Sequence, residues 1–156
     1  MKKFLTILLT ALLLVNISTP AAKANTSTIV YSEIEYISED LYLEIEIEEY
    51  TDTIQRATQT KTASKKVSIK NASNKTLATF TITGTFTYDG TTSKCTAASH
   101  SSTISDNTWA FTFKTANRLT NRAIGQYILD CTINGQVVQK LSDSVILACA
   151  PDGTLS

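Results

Sequence analysis

Apolar and polar residues alternate with a period of two over long runs of this chain, a period that places one set of side chains on one face of a β-strand. Between Leu41 and Ile47 the odd positions are Leu41, Leu43, Ile45 and Ile47, while Tyr42, Glu44, Glu46 and Glu48 take the other face. Val67 and Ile69 resume the pattern after a polar linker from about Thr51 to Thr62. The clearest run places Ala78, Phe80, Ile82, Gly84, Phe86 and Tyr88 at even positions and threonine at every odd one. Threonine hydroxyls stay hydrated and the branched Cβ suits the pleat, so this run predicts a half-buried strand with a threonine solvent face. Three further runs alternate in the same way: Trp109, Phe111 and Phe113; Ala123, Gly125, Tyr127, Leu129, Cys131 and Ile133; and Val145, Leu147 and Cys149. Aromatics at period two are expected to fill an interior, Trp109 included.

Turn-forming residues separate the runs at Asn71–Asn74, Asp89-Gly90, Asp106-Asn107, Asn121 and Asn134-Gly135. Short antiparallel strands, each apolar on one face, must bury that face against a second sheet. The predicted fold is therefore an all-β antiparallel β-sandwich of about seven to eight strands. Residues 41–156 form the sandwich. Residues 25–40 are a lead-in of mixed periodicity holding Ile29, Val30, Tyr31, Ile34, Tyr36 and Ile37, which admits an extra strand.

Two hairpin registers follow from the turns. A two-residue turn at Asp89-Gly90 would pair Phe86 with Ser93 and Gly84 with Cys95, keeping all of them inward. At Asn134-Gly135 a two-residue turn would strand Leu141, Val145 and Leu147 on the outside. A three-residue loop with glycine in a bulge would instead set Cys131 opposite Val137 and Tyr127 opposite Leu141, and this second register is the expected one.

The N-terminus changes the picture of where the domain works. Lys2 and Lys3 precede an apolar stretch from Phe4 to Val15, and a polar segment closes on Ala22-Lys23-Ala24, the three-part pattern of a signal peptide over residues 1–24. The apolar stretch is too short to span a bilayer, which takes about 20 residues. With no cysteine at the junction to carry a lipid and no second apolar segment, the expectation is a secreted, extracellular product with no membrane attachment after cleavage. Removal of the three leader lysines leaves 11 basic against 14 acidic residues, a net charge of −3. That balance offers no clustered cations to neutralise phosphates, so a nucleic-acid partner is not expected.

Candidate chemistry is sparse. The one histidine, His100, stands among Ser99, Ser101 and Ser102. A hydrolytic site would need a nucleophile, that base and a carboxylate such as Asp106 within hydrogen-bond reach, and sequence proximity of serines does not supply the geometry. Zinc sites want paired ligands at short spacings, which three separated cysteines and one histidine do not offer, so no metal or other cofactor is expected. Between Glu33 and Asp52 there are nine carboxylates and no Lys or Arg. Alternate strand carboxylates lie roughly 6.5 Å apart, too far to share one cation, and a solvated strand face opposite Lys66 and Lys70 is the simpler reading. Tyr42, beside Glu44, Glu46 and Glu48, makes that face a candidate binding surface, sugars included.

The run Gly84-Thr-Phe86-Thr-Tyr88-Asp-Gly90 with Cys95 shortly after, the later Trp109, and the closing Cys149-Ala-Pro-Asp-Gly153-Thr-Leu-Ser156 resemble a group of uncharacterised small secreted proteins of clostridia-like Gram-positive bacteria. The likeness covers roughly residues 60 to 156 and implies no activity or ligand. Cys131 departs from it. The order Cys95, Trp109, Cys149 also gives a broad likeness to immunoglobulin-type sandwiches, which is partial, because Leu147 stands where that fold has its corner tyrosine.

Three cysteines allow one disulfide. On the expected hairpin Cys131 and Cys149 stand some 35–40 Å apart, beyond bridging distance, so Cys95 must be one partner. The resembling proteins keep Cys95 and Cys149, and a Gly84 opposite Cys95 would leave room for an inward sulfur. The expected bridge is therefore Cys95–Cys149, with Cys131 a buried thiol. Together these features suggest a secreted non-catalytic domain that binds an extracellular protein or glycan. A secreted hydrolase near His100, and a secreted inhibitor or antibacterial effector, are the alternatives.

Overall fold

The computed structural model describes residues 27–50 and 58–156. The leader, its junction at Ala24 and most of the expected linker lie outside those residues. Eight strands follow one another: β1 (Ser27–Ser38), β2 (Leu41–Tyr50), β3 (Gln59–Asn71), β4 (Thr76–Tyr88), β5 (Ser93–Ile104), β6 (Trp109–Leu119), β7 (Arg122–Ile133) and β8 (Gln136–Ala148). They form a five-stranded antiparallel sheet in the order β1-β2-β3-β4-β5 and a three-stranded one in the order β6-β7-β8. The all-β two-sheet prediction holds, and the lead-in is a full strand.

Both sheets are meanders. An immunoglobulin sandwich instead interleaves its strands between sheets through Greek-key connections, so the strand order here is not that of the immunoglobulin fold. One turn carries the chain between layers. In it the amides of Ser105 and Asp106 donate to the Leu77 carbonyl, and the Asp106 carboxylate accepts from the Thr108 amide and hydroxyl and from Lys75 at 3.0 Å. These donors hold the Asp106 carboxyl down at about 2.

The alternating runs supply the core: Phe80, Ile82 and Phe86 from β4, Ala123, Tyr127 and Leu129 from β7, Val145 and Leu147 from β8, and Leu41, Leu43 and Ile47 from β2 are all buried. Phe80 sits 5.0 Å from the Tyr127 ring, an aromatic contact between the sheets, and within the three-stranded sheet Phe111 meets Tyr127 edge-on at 5.8 Å. On the other face of β4 the threonines pair across strands, Thr79 with Thr103 at 2.6 Å and Thr62 with Thr85 at 3.3 Å.

β-Bulges are where local alternation and structure part. A bulge between Phe111 and Phe113 turns Phe113 onto the outer face, where it is 47% exposed, so it is not the core residue expected. The Asp89-Gly90 turn is longer than predicted: Tyr88 pairs with Ser93 and Phe86 with Cys95, because the Asp89 carboxylate accepts the amides of both Thr91 and Thr92 and organises a four-residue loop. The register moves by two, which keeps Cys95 inward. Gly84 faces Ala98 instead, and the Phe86 ring occupies the space over it.

At Asn134-Gly135 the loop has two residues, with both φ values positive at 52° and 78°. Ile133 pairs with Gln136, and the parity change comes one pair later, from a bulge that sets Cys131 opposite Gln139. Tyr127 then faces Asp143 rather than Leu141, yet Leu141, Val145 and Leu147 still turn inward as expected.

Candidate binding surface

The two sheets are unequal, and that inequality makes the surface. The backbones of β3, β4 and β5 come close to the three-stranded sheet, β5 running beside β6 along one side, whereas the backbones of β1 and β2 come close only to strands of their own sheet. The five-stranded sheet therefore overhangs. β2 still buries Leu41, Leu43 and Ile47 at its inner face, but every residue of β1 is exposed.

Register assigns the faces. Ser32, Ile34 and Tyr36 lie opposite Glu46, Glu44 and Tyr42 on the outer side, and Tyr31, Glu33 and Glu35 lie opposite Ile47, Ile45 and Leu43 on the inner side. Bulges at Val30 and Ile37 reverse the parity at both ends of β1, which is why its apolar residues show no single period in the sequence.

The predicted residues Tyr42, Glu44, Glu46 and Glu48 do share one face, but most of their polar capacity is already used. Lys70 contacts Glu44 at 2.7 Å and Lys66 contacts Glu46 at 2.6 Å, the opposite charges expected from β3. Both lysines are held above their ordinary value, chiefly by those hydrogen bonds. Tyr42 donates to Asn74 at 2.6 Å, and Tyr50 reaches Glu48 at 3.4 Å. On the inner side Lys61 contacts Glu49 at 3.0 Å.

Glu33 and Glu35, by contrast, form no ion pair among the described residues. Glu33 accepts a hydrogen bond from its own strand's Tyr31, which raises that phenol. Tyr127 is pushed well above the ordinary phenol range by burial, and the carboxylates of Asp143 and Glu35 add to it, so Glu35 faces the second sheet. Beside these carboxylates β1 exposes Ile29, Val30, Tyr31, Ile34 at 53%, Tyr36 at 76% and Ile37. Tyr36 and Tyr42 rings lie 5.8 Å apart across the hairpin. The Ser32–Tyr36 alternation is the sequence signal for this exposed strand, and the flanking bulges obscure it.

Other candidates resolve differently. His100 stacks on Phe80 at 5.7 Å, and Asp106 is engaged by Thr108 and Lys75, so the structure does not bring the two together in a triad. Among the described residues no group of three or more His, Cys, Asp or Glu is arranged to hold a metal ion. An open groove of about 590 Å³ lies between Thr92–Thr96 and the end of β6, with Lys94 and Arg118 at its walls. The Arg118 guanidinium is spent on the Thr96 carbonyl.

The expected Cys95–Cys149 disulfide is not formed: all three cysteines are buried free thiols. Cys95 and Cys149 nonetheless flank one turn, their amides donating to the adjacent carbonyls of Thr120 and Asn121 at 2.8 and 3.1 Å. Each sulfur is turned to a carbonyl of its own strand segment, Cys95 to Ala97 and Cys149 to Ala150. Burial raises both thiols above their usual range. Cys131 lies opposite Trp109 at the far end of β7, as the elimination of a Cys131–Cys149 pair requires.

The two runs behind the family resemblance meet at this same end. Gly153 lies against the Tyr88 ring with φ +88°, the Gly90 amide donates to the Pro151 carbonyl at 2.9 Å, and Leu155 bridges to Cys149. Lys61 donates to the Gly153 carbonyl at 2.7 Å and lies over the Tyr88 ring. That arrangement closes the end of the sandwich with its tail, a structural use of the motif. No protein-family model, curated protein or solved structure matches this chain.

Proposed function

We propose that this chain is an exported, non-catalytic β-sandwich domain that works outside the cell as a binding module, with β1 and the adjoining face of β2 as its contact surface. One observation carries the reading: a twelve-residue strand exposes six large apolar side chains at the end of a sheet. Several large apolar side chains exposed along one edge strand of a small domain mark it as a candidate interaction site. Tyrosines and isoleucines framed by carboxylates suit a protein or glycan partner, and the signal-peptide pattern of residues 1–24 supports export.

A panel of cell-wall glycans, mucins and host surface proteins, probed with the mature domain and with an Ile34→Ser/Tyr36→Ser variant, tests the proposal. Binding by the parent that falls at least about tenfold in the variant is expected, since both side chains are exposed and their loss leaves the fold intact. Absence of any binding, or binding that the variant retains in full, overturns it.

A further inference from the structure

Resting on that reading of β1, we propose that its partner is an extended polypeptide segment that adds to the open edge of β1 as a sixth strand and carries basic residues at alternate positions.

The edge supplies the affinity. β1 is hydrogen-bonded only to β2 and ends the sheet, so among the described residues its outer row of backbone N–H and C=O groups is unpaired. Such a row is a template for an incoming strand. Between the two bulges the segment Tyr31–Tyr36 runs in unbroken register with β2, which gives a straight edge of one strand's ordinary length.

Side chains supply the choice of partner. On the inner side β1 shows Glu33 and Glu35, which form no ion pair among the described residues, and Asp143 on β8 stands opposite Tyr127 in register. The outer side shows Ile34 and Tyr36. An added strand must place its successive residues opposite Glu33, Ile34, Glu35 and Tyr36, so the matching segment reads basic, apolar, basic, apolar. The neighbouring strand pair shows the same solution already in use, since Lys66 and Lys70 on β3 meet Glu46 and Glu44 on β2.

A second copy of this chain fits poorly. Antiparallel pairing of β1 with β1 about Ile34 sets Glu33 against Glu35 twice over, and like charges directly opposite disfavour a strand pair. Inward charges and bulges are also how proteins blunt an edge against self-association. β1 has both devices, yet it keeps six exposed large apolar residues that a purely protective edge would not need.

The test uses the mature chain and three synthetic end-capped peptides. In the first, lysine alternates with valine; in the second, glutamate replaces lysine; in the third, proline replaces every valine, removing alternate backbone donors. Binding is read by fluorescence anisotropy at low and high salt, and the site by amide hydrogen exchange. The lysine peptide should bind, protect amides along Tyr31–Tyr36 and weaken with salt, and the other two should not bind. Glu33→Gln/Glu35→Gln should weaken the lysine peptide by roughly tenfold and flatten its salt dependence.

Equal binding of the proline peptide would reduce the effect to surface electrostatics and overturn strand addition. Unchanged affinity in Glu33→Gln/Glu35→Gln, or no binding of the lysine peptide, would overturn the basic partner. Sedimentation of the parent and of Ile34→Ser/Tyr36→Ser separates the two layers of the argument. A dimer abolished by that variant leaves β1 an interaction surface with the partner class wrong. With no peptide binding, no self-association and a negative ligand panel, both readings fall.

Discussion

β1 and β2 are adjacent strands that each interleave glutamates with isoleucine and tyrosine, and they end in opposite environments. β2 buries one face in the core and has two of its outer glutamates, Glu44 and Glu46, matched by lysines of β3. β1 buries nothing, and among the described residues no lysine pairs with Glu33 or Glu35. The difference lies in the neighbours. A three-stranded layer can cover only part of a five-stranded one, and the strand at the uncovered end keeps exposed what its neighbour hides. Interleaving of glutamate with apolar residues alone therefore says little about whether a strand is a core element or an interaction edge.

The widest gap between the two environments should appear in thiol chemistry. An Ile34→Cys variant on β1 should label at the rate of an exposed thiol. The native Cys95, Cys131 and Cys149, at 3%, 7% and 0% exposure, should label more than about a hundredfold more slowly and only through opening of the fold. Mass spectrometry after timed alkylation separates them. Failure of Cys95 and Cys149 to label even in denaturant without reductant would show that the two are bonded, contrary to the thiols described here.

Truncation should show the same contrast in stability. Ile47→Ala removes a side chain that is 1% exposed and should cost about 2–5 kcal/mol by denaturant unfolding. Ile34→Ala, at 53% exposure, should stay within about 0.5 kcal/mol. Comparable losses at the two positions would mean that β1 packs against something and would remove the basis for calling it an open surface.

A smaller effect should follow from the charges. Lys66 and Lys70 keep their protons to higher pH folded than unfolded, so their pairing with Glu46 and Glu44 contributes in full below the ordinary lysine value of 10.5 and is lost as pH climbs through the raised one. Tyr127 acts with the same sign: the unfolded chain releases its phenol proton near 10.0, while the folded chain holds it. Stability should thus fall above about pH 10. Lys66→Met/Lys70→Met and Tyr127→Phe should each flatten part of that fall, and an unaltered profile in both would show that neither group drives it.

Much of this molecule was legible because a strand's faces are a local property. The alternation at 78–88, with threonine at every second place, fixes which side of β4 meets the core without reference to any other strand. The same holds for β7, and for the odd positions of β2. Tertiary structure decided the rest. Whether Phe113 points in or out depends on a bulge against β7, and the register at Asp89 depends on a side chain capping its own turn amides. Sheet order and the size mismatch depend on which layer each hairpin joins, and so does the exposure of Ile34 and Tyr36. Those choices are settled by packing energies summed over residues far apart in the chain, and no window of neighbouring residues contains them.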